Sequence, residues 1–299
     1  MKAFITGIVG FSGKHLAELL KKEKIKVTGI DVNKGKYYQA DLTDKKRLEK
    51  ILNKEQPDYI FHLASPLIRS DQLVDETLIK NLEVDLFGSV NLLETAAKLK
   101  QKPRMLITGT AAVYQAVGSK AIKETFKLSP ITAYGLSKLT QELVCRKLAE
   151  SYQLPLICTR TFLLIGSGQK PGFVVTDLIR KVVAGEAEIE VGKLSTRRDF
   201  TDVRDAVRAY WLLMQKGRAG ETYNVCSGRS YSIKEVLKKL QQLAKKPFKI
   251  KEKLKWRKND PDMVIGDNQK IRKAVGWAPE ITLDQSLKDI LGYWRGIQF

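Results

Sequence analysis

Apolar residues fall in short continuous runs separated by stretches with helical spacing. Residues 2–6, KAFIT, form a short apolar strand, followed by Gly7-Ile8-Val9-Gly10-Phe11-Ser12-Gly13 and then KHLAELLKK. In that last stretch Leu16, Leu19 and Leu20 repeat at helical spacing. A second strand, residues 25–30, ends at Asp31. Asp41-Leu42-Thr43-Asp44 reads as a strand end running into a helix cap, with residues 45–53 helical. Residues 58–63, DYIFHL, read as a buried strand, and residues 73–99 as a long amphipathic helical stretch. RMLIT (104–108) is another strand, residues 134–152 a helix and residues 155–162 a strand. Strands alternating with helices imply an α/β fold: a doubly wound parallel sheet covered on both faces.

After Phe162 the pattern changes. Residues 166–172 form a glycine-rich loop; a helix (174–184) and a short strand (188–191) follow. Residues 197–203 lead into a helix over 204–215. Then come a strand (221–226), a helix (232–245), a lysine-rich strand (248–256) and a last helix (282–295). This half is mixed and shorter-ranged. The expected division is residues 1–165 as a dinucleotide-binding domain, with 201–217 returning to it, and 166–299 as a smaller α+β lobe. A ligand cleft is expected between the lobes.

Composition narrows the class. The chain has 299 residues, 43% hydrophobic and 29% charged, ordinary for a soluble globular protein with a sizeable core. No apolar run approaches the roughly 20 residues that span a bilayer, so no membrane partner is expected. The start, MKAFITGIVG, goes straight into a strand and does not read as a signal peptide. Cys145, Cys158 and Cys226 lack metal-type spacing, which predicts reduced thiols in a cytoplasm. With only His15 and His62, no histidine-based metal site is expected. Fifty-three Lys and Arg against 33 Asp and Glu give a net charge of +20, which raises nucleic acid and anionic small molecules as partners. The densest basic run, residues 249–258, alternates with period two, so its lysines fall on one face of a strand. Such lysines commonly guard an exposed edge, and no nucleic-acid-binding signature accompanies them, so no nucleic-acid partner is expected.

Two motifs carry chemistry. The strand–glycine loop–helix unit suits a dinucleotide: one glycine makes the tight turn, one lets backbone approach a pyrophosphate, and one lets helix and strand pack. The helix N-terminus then faces the phosphates, and Asp31 can bond ribose hydroxyls. The ordinary alternative is a helix-capping turn and a strand-end aspartate. The second motif is Tyr134 and Lys138, four apart and therefore on one helix face. An ammonium beside a phenol favours the phenolate, and such a tyrosine can pass a proton at neutral pH. Thr110 could hold a substrate oxygen beside it. The plainer reading is a buried tyrosine with a snorkelling lysine.

Together these residues resemble the extended short-chain dehydrogenases/reductases, the group of nucleotide-sugar epimerases, dehydratases and reductases with a Rossmann-type sheet. The resemblance runs end to end. It is carried by Thr6-Gly7-x-x-Gly10-Phe11-x-Gly13, Asp31, Asp41-Leu42, His62-Leu63-Ala64-Ser65, Asn91-Leu92-Leu93-Glu94, Val113-Tyr114, Tyr134-Gly135-x-Ser137-Lys138 and Arg198-Asp199-Phe200-x-x-Val203-x-Asp205. In the second half, RRDFTDVRDAVRAYWLL, ETYNVCSG and GDNQKIRKAVGWAPEITLDQSL are most similar to the GDP-4-keto-6-deoxymannose reductases.

The resemblance implies NAD or NADP as cofactor, with Asp31 tilting the balance to NAD and Lys34 and Lys36 opposing it. It implies that Gly7, Gly10, Phe11, Ser12 and Gly13 hold the pyrophosphate. Asp31 would take the adenosine ribose, Asp41 and Leu42 the adenine edge, and Leu63, Ala64 and Ser65 the nicotinamide side. Thr110, Tyr134 and Lys138 would be catalytic, with Lys138 also binding ribose. Arg180, Arg198, Arg257 and Asp260 would bind the substrate, Arg198 and Arg257 by clasping its diphosphate. A homodimer built on the two long helices is also implied. Three departures stand out. Asp85 replaces a usual Asn, Leu163 replaces an Asn that touches substrate, and Ala111 and Ala112 stand where sugar-nucleotide dehydratases place their carboxylic acids. The expected activity is reduction of the C4 keto group of a GDP-linked 4-keto-6-deoxyhexose to a GDP-6-deoxyhexose such as GDP-rhamnose. The alternatives are an NAD-retaining nucleotide-sugar 4-epimerase and a non-catalytic dinucleotide-binding protein.

Overall fold

The computed structural model describes residues 1–66, 76–115, 118, 120–245, 247–253 and 261–297. In chain order its first part contains β1 (Lys2–Thr6), α1 (Phe11–Lys22), β2 (Lys26–Asp31), β3 (Tyr38–Gln39), α2 (Lys45–Glu55) and β4 (Tyr59–His62). It continues with α3 (Glu76–Leu82), a π-helical turn (Glu83–Gly88), α4 (Ser89–Ala97), β5 (Arg104–Thr110), a 3-10 turn (Ala111–Val113), α5 (Ala133–Ser151) and β6 (Leu156–Thr161). The second part contains β7 (Leu163–Ile165), α6 (Val174–Ala184), β8 (Glu188–Val191), β9 (Arg197–Asp202), α7 (Val203–Lys216) and β10 (Thr222–Val225). It ends with β11 (Ser230–Ser232), α8 (Ile233–Ala244), β12 (Lys249–Glu252), β13 (Met263–Val264), α9 (Gln269–Val275) and α10 (Leu283–Gly296).

The main sheet has the order β10-β6-β5-β4-β1-β2-β3, and every neighbouring pair is parallel. The chain runs outward from β1 to β3 and then crosses back to lay β4 against the other side of β1. Such a reversal opens a crevice at the carboxyl ends of the strands, where α/β sheets of this Rossmann type bind ligands. Helices cover both faces. On one side α1 and α7 pack together around Leu16, Leu20, Val207, Tyr210 and Trp277. On the other, Leu48, Leu52, Leu92, Leu93 and Cys145 close α2, α4 and α5 over the strands.

The sheet takes one strand more from the second half than expected. Residues 201–217 were expected to return to it; Thr201 and Asp202 end β9 of the smaller lobe, while α7 packs on α1. But β10, expected in the small lobe, also joins the sheet, pairing Thr222 with Cys158 and Val225 with Thr161. All four of its residues are buried, as a strand covered on both faces requires.

In the smaller lobe β9 is central, antiparallel to β11 and parallel to β7 and β13. Helices α6, α8 and α10 pack around Ile179, Leu237, Leu240, Leu287 and Trp294. Helix α8 opens on a capping box, in which Glu235 N–H donates to Ser232 Oγ at 3.1 Å and Ser232 N–H donates to Glu235 Oε2 at 2.7 Å. The lysine-rich strand pairs with β8, setting Lys249 beside Glu188 and Lys251 beside Glu190. Lys251 lies 3.5 and 3.6 Å from Glu188 and Glu190, and Lys253 pairs with Glu190. These lysines meet facing glutamates on an exposed edge, where solvent screens the pairs and they contribute little to stability.

The long helix expected over 73–99 is helical from residue 76 to 97 in the described part, with the π-helical turn in its middle. That turn swings Asp85 into the protein interior, where it is fully buried. Among the described residues no helix is long and apolar enough to cross a membrane.

Candidate functional site

A cleft of about 860 Å³ lies at the carboxyl ends of β1, β2, β4, β5 and β6 and reaches the smaller lobe at Gly168, Lys170, Phe173 and Arg198. Its floor is the glycine loop. Gly7 has φ +72°, and a Cβ there would sit 2.9 Å from the Ala64 backbone. At Gly13 a Cβ would lie 2.1 Å from Gly7 O. Neither position admits a side chain, so α1 begins flush against the loop. Gly10, the residue before α1, offers no side-chain cap. The first-turn residues Phe11, Ser12 and Gly13 line the cleft with no side-chain cap over their amides, an arrangement that suits pyrophosphate binding.

Asp31 is held ready at the end of β2. Val9 N–H donates to its Oδ2 at 3.0 Å, and Asn33 donates to its Oδ1 from both backbone and side chain at 2.9 Å. Asp41 accepts from the Thr43 amide and hydroxyl at 2.8 Å, and Leu42 beside it is buried. Leu63, Ala64 and Ser65 complete the wall. Among the described residues the buried Ser65 hydroxyl has no hydrogen-bond partner, and a ligand oxygen would satisfy it. The glycine cradle, the anchored carboxylate and this orphaned hydroxyl together fit a dinucleotide.

Thr110, Tyr134 and Lys138 line the same cleft. Thr110 ends β5, where its Oγ1 accepts from Ala112 N–H at 3.2 Å. Acting as acceptor there, the hydroxyl keeps its proton to donate. Tyr134 and Lys138 sit in the first turns of α5, which starts where Gly135 N–H donates to Thr132 Oγ1 at 3.1 Å. Lys138 is almost wholly buried, and its ammonium lies 3.5 Å from Asp85 Oδ1, an ion-pair separation rather than a good hydrogen bond.

A directed hydrogen-bond chain ties this corner to the floor. Ala64 N–H donates to Thr6 Oγ1 at 3.2 Å, and Thr6 Oγ1 lies 2.6 Å from His62 Nδ1. His62 Nε2 lies 2.7 Å from Ser89 Oγ, which itself donates to the Asp85 carbonyl. Ser89 spends its proton on that carbonyl, so His62 carries its proton on Nε2, and Thr6 donates to Nδ1. Burial, with the Lys138 charge adding to it, pushes His62 down to about 3. The unfolded chain therefore binds a proton below about pH 6.5 that the folded chain refuses until about pH 3. This group stabilises the fold fully above that window and costs about 1.4 kcal/mol per pH unit as pH falls through it. Chemical denaturation at pH 7 and pH 5 should show His62→Gln losing about 2 kcal/mol less stability between the two than the parent.

Buried polar residues also brace the far wall. Arg160 donates to Glu142 at 2.9 and 2.7 Å and to Tyr114 Oη at 3.1 Å, and Tyr114 donates to Asn224 at 2.7 Å. Tyr114 lines the cleft, but its hydroxyl is committed to this network, and burial raises it further above the usual phenol range.

The expected substrate residues separate. Arg198 lines the cleft on β9, with Nη1 donating to the Arg197 and Pro261 carbonyls at 2.8 Å. Its neighbour Asp199 accepts from the amides of Ser227, Gly228 and Gly266 at 2.8, 3.0 and 3.1 Å, pinning two loops beside it. Arg180 is not among the cleft's lining side chains; it lies on α6 with its guanidinium 5.3 Å from the Trp294 ring centre. Arg257 and Asp260 lie outside the described residues. Sequence reasoning passed over Lys14, Lys170 and Phe173, which also line the cleft. The glycine clustering of the 166–172 loop was the available signal for the last two.

The family model for GDP-mannose 4,6 dehydratase matches residues 4–290. The chain belongs to this family. It is an enzyme of the extended short-chain dehydrogenases/reductases and acts on nucleotide sugars. It is 31% identical over 302 residues to a GDP-6-deoxy-D-mannose reductase of Pseudomonas aeruginosa, covering 98% of this chain and 97% of the relative. Among solved structures, RMD from Pseudomonas aeruginosa complexed with NADPH is similar at TM-score 0.89 and 30% identity, over 99% of both chains. The UDP-glucose 4-epimerase of Thermotoga maritima, solved with UDP-glucose, is similar at TM-score 0.90 and 27% identity, over 99% of both chains. Reductases and epimerases of the family thus share this architecture.

Proposed function

We propose that this family member reduces the C4 keto group of a GDP-linked 4-keto-6-deoxyhexose, giving a GDP-6-deoxyhexose such as GDP-rhamnose. The observation that carries the reading is a cleft that gathers Thr110, Tyr134 and Lys138 with Arg198 while presenting only methyl groups at Ala111 and Ala112. A methyl group cannot serve as acid or base, which disfavours dehydration and favours a step after it. The reductase relative supports the same reading.

The glycine loop and Asp31 bind the dinucleotide, and Lys138 holds its nicotinamide-side ribose. A bound dihydronicotinamide supplies hydride to C4. Thr110 donates a hydrogen bond to the C4 oxygen, and Tyr134 gives that oxygen its proton, so the ketone becomes an alcohol. Arg198, with Arg257, clasps the diphosphate through paired guanidinium contacts, and Asp260 takes the nucleotide ribose. Asp31 favours a free 2′-hydroxyl over a 2′-phosphate, so NADH binds at least as tightly as NADPH. Paired titrations check this, and a large preference for NADPH overturns it.

The decisive test supplies GDP-4-keto-6-deoxymannose with NADH or NADPH and follows absorbance loss and product. Epimerisation of a UDP-hexose at C4 with no net cofactor oxidation moves the assignment to an epimerase, the reading that the Thermotoga maritima structure favours.

The assembly belongs to the same proposal. Ile79, Phe87 and Leu143 are exposed apolar residues on α3, the π-helical turn and α5. They suit a four-helix bundle between two copies, with each copy contributing its two long helices. Light scattering at micromolar concentration should give a dimer, and Phe87→Glu combined with Leu143→Glu should give a monomer.

A further inference from the structure

We propose that Asp85 is a positioning residue for the reaction: its carboxylate holds Lys138 charged and aimed into the cleft. The inference rests on the reading that Lys138 binds the dinucleotide ribose. Lys138 is 2% exposed and Asp85 0%, so each charge needs the other. The carboxylate itself is aimed: the Ser137 hydroxyl, whose one proton is shared between Asp85 Oδ2 at 2.9 Å and the Tyr134 carbonyl at 3.0 Å, sits against Oδ2 and leaves Oδ1 toward the ammonium. Among the described residues Oδ1 has no hydrogen-bond partner, and the Lys138 ammonium is the charge it faces.

Among the described residues, the other titratable groups around Lys138 are not carboxylates paired with it. His62 on β4 feels the Lys138 charge but is kept neutral by burial. Cys145 on α5 also feels it, and burial pushes that thiol up to about 12. Tyr134 lies one turn before Lys138 on the same helix and enters the proposed reduction as the proton donor. Among the described residues, the carboxylate paired with Lys138 is Asp85.

The π-helical turn explains how Asp85 arrives there. π turns concentrate at functional sites, and this one runs from Glu83 to Gly88. Its inner side is fixed by the Ser89 bond to the Asp85 carbonyl and by Gly88, where a Cβ would lie 2.8 Å from Leu42 Cβ. Val84, next in the chain, lines the cleft. One turn thus touches the ligand wall and carries the counter-ion.

Removing an opposite charge from a buried ammonium makes it release its proton more readily. The test is fluorescence titration of NADH and NADPH from pH 6 to 10 with the parent, Asp85→Asn, Asp85→Glu and Lys138→Met. The alkaline loss of binding in Asp85→Asn should begin at lower pH than that of the parent and proceed about tenfold per unit. Asp85→Glu should restore most of the parent profile, and Lys138→Met should bind weakly without that pH dependence. An Asp85→Asn profile that superimposes on the parent overturns the proposal. So does an Asp85→Glu profile that matches Asp85→Asn, because packing rather than charge would then be the cause. If Asp85→Asn does not fold, Ser137→Ala carries the test: it keeps both charges and removes the donor that aims Oδ2. The same downward move, smaller, is expected there, and a parent-like profile overturns the proposal. Dinucleotide binding needs no sugar substrate, so failure of the reductase assignment leaves this outcome readable.

Discussion

Tyr134→Phe is expected to lower turnover by about 100- to 10,000-fold, the range of a positioned proton transfer. Dinucleotide binding should be largely kept. Tyr134 is half-buried at the start of α5 and lines the cleft. The substitution removes one oxygen and leaves the ring to pack as before. The Thr132 cap that sets the helix start is untouched, since it uses the Gly135 amide. Lys138→Met should instead damage both rate and cofactor binding, because Lys138 serves both. The measurement is steady-state turnover beside a cofactor titration on each variant. Near-parent turnover in Tyr134→Phe would remove it as the proton donor.

Glu142→Ala should be the most destabilising of these changes. Glu142 is 3% exposed and Arg160 4%, and two bonds of 2.9 and 2.7 Å join them. Thr222 on β10 also donates to Glu142 at 3.2 Å, so the pair fastens the edge strand to α5. Loss of the carboxylate leaves a guanidinium buried without a counter-charge, which costs about 3–5 kcal/mol. For a chain of this size that is a fall in melting temperature on the order of 10 °C. Glu142→Met combined with Arg160→Met removes both charges and should recover much of the loss. Thermal melts of the three proteins check the ordering. A single variant as stable as the parent would show that water reaches Arg160.

Local pattern made much of this protein legible in its sequence. The alternation of apolar runs with helical spacing reports strands and helices covered on both faces, because burial acts on each segment through its own periodicity. The glycine loop, Asp31 and the Tyr134–Lys138 spacing are likewise short-range. Each depends on residues within one turn or one strand–loop–helix unit, and the cleft unites all of them. Membership of the family follows from the same motifs.

What only the tertiary structure decided lies between segments far apart in the chain. The strand over 221–226 was expected in the smaller lobe; pairing of 222–225 with β6 and burial on both faces placed it in the main sheet. Arg180 shares a helix with lobe-core residues, and its stacking on Trp294 in α10 set it apart from the cleft. Asp85 was visible as an unusual residue, but its partner was not. The π-helical turn brings its carboxylate to Lys138, and the chain from Ala64 through Thr6, His62 and Ser89 fixes the turn. A sequence pattern reports which face of an element is buried; which buried polar groups meet is settled by packing, where every charge taken from water must find its partner.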